Sequence, residues 1–146
     1  MAWVLLQFIF PVLIILVSYS IYTQQGVIME NFNLRIAWSS SYRKLFMLVT
    51  LLPLLIFHFI CLNGECSIAG LVPSSLFVLG LFSYKLSHWV LCQLHKPKLM
   101  FSAFVVTLGI LFVPGMYSSA VTLGIILVAS LFYPTKEKIR QNNQYK

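Results

Sequence analysis

The sequence predicts an all-α polytopic membrane protein with about five transmembrane helices, on three observations. Hydrophobic residues make up 60% of the chain and charged ones only 9%, a balance that no soluble domain of this size shows. Long uncharged runs alternate with short basic stretches, and one run, residues 99–135, is far longer than the roughly 20 residues a single helix needs to cross a bilayer. The ten Lys and Arg residues all lie in segments that five crossings would bring to one side. At 146 residues the chain is one integral membrane domain, with no room for a separate soluble catalytic unit.

The first expected span, 3–22, follows from the absence of charge before Glu30, with Pro11 expected to kink it. A cleavable signal peptide would want a basic residue ahead of a shorter apolar core, so 3–22 reads as an anchor. Residues 23–44 are expected to form a cytoplasmic loop carrying Arg35, Arg43 and Lys44. Ile28, Met29, Phe32 and Ile36 can share one helical face there, with Trp38 and Tyr42 at headgroup level. Leu34 falls off that face, which leaves an interfacial helix and an irregular loop equally open.

A second span, 45–62, ends at the turn Asn63-Gly64-Glu65-Cys66. The third, 70–92, begins with Pro73 in its first turn and closes at His95-Lys96-Pro97-Lys98. The run 99–135 then divides at Pro114-Gly115-Met116-Tyr117-Ser118-Ser119, which predicts two spans, 99–115 and 118–134, as a tight hairpin. Each arm is about 15 to 18 residues, or about 22 to 27 Å of helix, so a re-entrant loop is the alternative. Val106-Thr107-Leu108-Gly109-Ile110 recurs as Val121-Thr122-Leu123-Gly124-Ile125, and a hairpin centred near Met116 sets Gly109 level with Gly124. Small residues let helix backbones approach closely in lipid, so these two glycines are the expected packing contact. The tail, 135–146, is polar and basic.

Basic residues favour the cytoplasmic side of short loops. The N-terminus is therefore expected outside and the C-terminus inside, leaving Glu65 as the one charged side chain on the outer face. The same asymmetry points to a cell membrane, with a bacterial cytoplasmic membrane the expected location. Net charge +7 arises from loops flanking apolar spans rather than from a folded basic face, so nucleic acid is not an expected partner.

Lys85, His88, Cys92 and His95 follow one another at helical steps of three and four. His88 with Cys92, or Cys92 with His95, has spacing compatible with a metal ion. All three cannot easily meet one ion, since residues seven apart are separated by about 10.5 Å along a helix axis. The favoured reading has Lys85 snorkelling to the inner interface and the histidines bonding neighbours, with no metal and no cofactor. Haem ligation fails because His58 lies towards the opposite membrane face from His88 and His95. Cys61 and Cys66 straddle the outer turn and form a possible disulfide.

No HExxH, GxSxG, Walker glycine loop or GxGxxG occurs, and there is no Asp in the chain. Intramembrane aspartyl proteolysis is thereby excluded, and carboxylate-based proton coupling has no carrier within a span. The expected function is non-enzymatic: helix–helix contact with another membrane component, as an accessory subunit or an immunity or exclusion protein. The alternative is a subunit of an oligomeric transporter or channel for a small or lipidic substrate. The expected partners are the bilayer and either a second membrane protein or further copies of this chain.

Overall fold

A computed structural model describes residues 2–24, 26–64 and 66–144, with the side chains of the first helix described mainly from Pro11 onward. Glu65 and Lys146 lie outside the described residues. The described chain forms eight α-helices: α1 Ala2–Thr23, α2 Val27–Trp38, α3 Ser40–Asn63, α4 Ile68–Leu81, α5 Tyr84–Leu94, α6 Pro97–Leu111, α7 Tyr117–Phe132 and α8 Lys136–Gln144. Two stretches are long and apolar enough to cross a membrane by themselves: Ser40–Asn63, and the unit Tyr117–Gln144 that joins α7 to α8. A third is reached only if the bent pair α4 and α5 is taken as one span, fewer than the five expected.

The described part of α1 from Pro11 to Ile21, and α6, are apolar but shorter than a full span, and the third expected span is bent. The segment expected to run as one helix over 70–92 breaks at Phe82-Ser83, and α5 leaves α4 at an angle of 107°. Apolar α4 and amphipathic α5 differ in composition: the second carries Lys85, Ser87, His88 and Gln93 within 11 residues. The bend brings Leu86 back over Gly80, where a Cβ would lie 2.9 Å from Leu86 Cδ2. Because α4 begins at Ile68, Pro73 falls in its second turn rather than its first.

Other boundaries move as well. The expected loop 23–44 contains α2 and the first turn of α3, and its buried face runs through Asn33, Ile36 and Ala37, while Ile28 and Phe32 face outward. The tail carries α8, whose Ile139 is buried against the rest of the protein. In the hairpin α6 stops at Leu111, earlier than expected, and the chain turns through 112–116 with Gly115 at φ 81°. That dihedral lies in the left-handed region, which glycine alone enters without steric cost.

Helix α7 is the hub, touching α1, α3, α4, α5 and α6. Its sequence explains this: Ser118, Ser119, Ala120, Thr122, Gly124, Ala129 and Ser130 are all small and all buried, so neighbouring backbones can close in from several directions. By contrast α3 is buried only along Met47, Leu54, His58 and Cys61, a single stripe at helical spacing.

The tightest crossing lies between α4 and α7. A Cβ on Gly70 would collide with the Gly115 carbonyl and sit 2.6 Å from Ser118 Oγ, and the Ser119 hydroxyl donates to the Gly70 carbonyl at 2.7 Å. Deeper along α4, Ser74 meets His58 of α3. The ring places Nδ1 2.9 Å from the Leu54 carbonyl and Nε2 2.8 Å from Ser74 Oγ. Nδ1–H donates to the Leu54 carbonyl, and the Ser74 hydroxyl that faces Nε2 also donates to the Leu71 carbonyl at 3.0 Å.

Candidate functional site

The helix ends that carry most of the basic residues gather at one end of the molecule. There Ile36, Ala37, Met47, Leu91, Ala129, Tyr133 and Ile139 form one apolar cluster drawn from α2, α3, α5, α8 and the C-terminal end of α7. A polar network is built into it. The Arg43 guanidinium donates to the Ala37 carbonyl at 2.7 Å, and approaches the Ile36 carbonyl at 3.4 Å and the Tyr84 hydroxyl at 3.5 Å. These carbonyls are at the C-terminus of α2, where unsatisfied oxygens and the helix dipole both favour a cation.

Tyr84 stacks on His88 one turn later, with ring planes 14° apart, and Lys44 lies 5.8 Å from the centre of the Tyr84 ring. His88 Nδ1 is 2.7 Å from the hydroxyl of Tyr133, which is fully buried and packs against Phe46. Cys92 Sγ lies 3.9 Å from His88 Nε2, a loose contact even for sulfur. His95, another turn on, donates from Nδ1 to the Ser130 carbonyl at 2.9 Å.

This arrangement decides what His88, Cys92 and His95 can do. His88 and Cys92 are neighbours, but His95 is directed at the α7 backbone, so the three do not converge. Among the described residues no group of three or more His, Cys, Asp or Glu is placed to hold one metal ion. A thiol–imidazole pair could in principle act as nucleophile and base, with Tyr133 orienting the ring. The loose sulfur contact leaves the thiol without a close base. The geometry is that of a joint locking α2, α3, α5 and α7 together.

Next to this joint lies a groove between α1 and α6, floored by α7. Its outer portion has a volume of about 460 Å³ and is lined by Tyr19, Cys92, His95, Lys96, Thr135, Lys136 and Glu137, among others. It adjoins a mostly apolar portion of about 390 Å³ between Ile15 and Leu16 of α1 and Met100, Phe101 and Phe104 of α6.

The remaining expected residues separate. Cys61 and Cys66 are brought together across the turn, with sulfurs 2.7 Å apart, both as free thiols. Gly109 and Gly124 are not brought together. A Cβ on Gly109 would meet nothing within 4 Å, whereas one on Gly124 would touch Ile15 Cδ1 of α1 at 3.7 Å. Equal depth does not fix rotation about the helix axis, and Gly109 faces outward. The glycine at the tightest helix crossing is Gly70, and its signal was present in Gly70-Leu71-Val72-Pro73-Ser74, a small residue at each end of a four-residue step. Nothing comparable marks Tyr133, whose bond to His88 spans 45 residues, or the contact of Arg43 with the end of α2, which is close in sequence but depends on the chain breaking at Ser39.

Compared with protein-family models, curated proteins and solved structures, the chain matches none of them significantly.

Proposed function

We propose that the protein crosses a membrane five times, through α1, α3, α4, α6 and α7, and acts without catalysis by lateral contact with another membrane component. The crossing pattern is supported by how the ends sort. The turns after α3 and α6 meet at one end, where Ser67 packs on Gly115, while Arg43, Tyr84, His88 and Tyr133 meet at the other. Helices α4 and α6 are short, about 21 and 22 Å at the helical rise. Laying α5 along the interface, and extending α6 into the exposed Phe112 and Val113, brings both closer to a full crossing. With the basic end inside, the N-terminus is outside and the C-terminus cytoplasmic, and a bacterial cytoplasmic membrane suits that asymmetry.

The observation that carries the contact reading is α3. It is an unbroken apolar helix of full spanning length, yet Leu48, Leu52, Leu55, Ile56 and Phe59 all face away from the protein. Such a ridge is free to pack against a helix of a partner, as an accessory or an immunity- or exclusion-type protein would require.

The test is a photo-cross-linking residue placed singly at Leu52, Leu55 and Phe59 in the tagged protein at native level. One discrete protein adduct, absent when the same residue replaces inward-facing Leu54, is expected. Lipid adducts alone at all three positions, with a monomer on purification in mild detergent, would overturn the reading.

A further inference from the structure

We infer that the groove between α1 and α6 is a binding site for one anionic phospholipid, its acyl chain in the apolar portion and its phosphate at Lys96 and Lys136. This does not rest on the outward face of α3 meeting a partner.

The two portions of the groove share Tyr19, Pro97, Met100 and Leu131, so a single amphiphile can occupy both. Each has the volume of a small-molecule site. The inner portion is walled almost entirely by carbon, from Ile15 and Leu16 across Leu127 to Phe101 and Phe104. Along α6 the wall runs from Pro97 to Phe104, a rise of about 10 Å, which suits part of an extended hydrocarbon chain.

Polarity changes abruptly at the mouth. Lys96 is the residue immediately before α6, and Lys136 is the first residue of α8. Two helix N-termini, the positive ends of their dipoles, therefore lie beside one cavity, each with an ammonium group next to it. Glu137 is the one carboxylate in this lining, and it leaves the mouth positive. The Thr135 hydroxyl, which accepts from the Lys138 backbone N–H at 3.3 Å, can still donate its proton to a phosphate oxygen. Tyr19 stands at the junction, with an aromatic body for the chain and a hydroxyl at headgroup level. A zwitterionic lipid would bring its own cation to these lysines. A lipid whose headgroup is anionic overall complements them.

The experiment uses the full-length protein reconstituted in nanodiscs of phosphatidylcholine and phosphatidylglycerol at four to one, then extracted into mild detergent, with retained lipid measured by mass spectrometry. Phosphatidylglycerol enriched to about one molecule per chain is expected. Lys96→Gln with Lys136→Gln should lower that preference about thirtyfold, from the value of a basic side chain beside an anionic surface. Lys98→Gln with Lys138→Gln removes the same charge from exposed neighbours that do not line the groove, and should leave retention unchanged. Met100→Trp, which fills the junction, should abolish retention with the lysines intact. Equal losses in the two lysine pairs would show only diffuse attraction and overturn the site. So would full retention in Met100→Trp, or no preference for phosphatidylglycerol in the unaltered protein.

Discussion

One methyl group at Gly70 would press on a carbonyl and a hydroxyl that α7 cannot withdraw, since the same turn also holds Gly115 against Ser67. Gly70→Ala is expected to destabilise the protein by about 1 to 3 kcal/mol, the cost of overpacking a fitted contact. Gly109→Ala, with open space around it, should be neutral or mildly stabilising through helix propensity. Thermal unfolding of the two variants in one detergent separates them, and equal losses would contradict the Gly70 crossing. Ser74→Ala removes the hydroxyl that faces His58 Nε2, and a loss of about 0.6 to 1.7 kcal/mol is expected for an interhelical bond in this setting. His58 and Ser74 were both visible in the chain, but their pairing was not. A helix rotation decides it, and the 16-residue separation carries no periodic signal.

The turn between α3 and α4 and the bend between α4 and α5 show how elements are joined. Cys61 and Cys66 approach because α3 runs on to Asn63 before the chain reverses. A mild thiol oxidant should therefore convert this pair to a disulfide, leaving Cys92 as the one alkylatable thiol of three by mass spectrometry. Cys61→Ser should restore labelling at Cys66. Three reactive thiols after oxidation would sink the pairing. At the α4–α5 bend, the helical steps of Lys85, His88, Cys92 and His95 all lie beyond the break at Phe82-Ser83, so their regular spacing carried no sign of it. Periodicity reports the face of a helix and is blind to its direction. The same blindness applies to α2 and α8, whose polar composition resembles that of a loop until Ile36, Ala37 and Ile139 find a common apolar neighbourhood.

At the scale of the whole molecule, the joint of Arg43, Tyr84, His88 and Tyr133 ties four helices at the basic end, and α7 carries the rest. Tyr133→Phe keeps the ring packed and deletes its bond to His88, so a loss of about 1 kcal/mol in unfolding free energy is expected. Topology is tested with a membrane-impermeant maleimide in a cysteine-free background. Asn63→Cys should react in intact cells, and Lys138→Cys only after permeabilisation; the reverse pattern would invert the molecule. The chain by itself determined the helical class, the hairpin turn at Pro114-Gly115 and the gathering of basic residues into certain connections. Those depend on composition and local backbone chemistry, which each segment carries alone. Tertiary structure decided that α5 turns aside, that Gly70 rather than Gly109 meets α7, and that Lys96 and Lys136 share one cavity. Each depends on the rotation and direction of helices fixed by contacts between residues far apart in the chain.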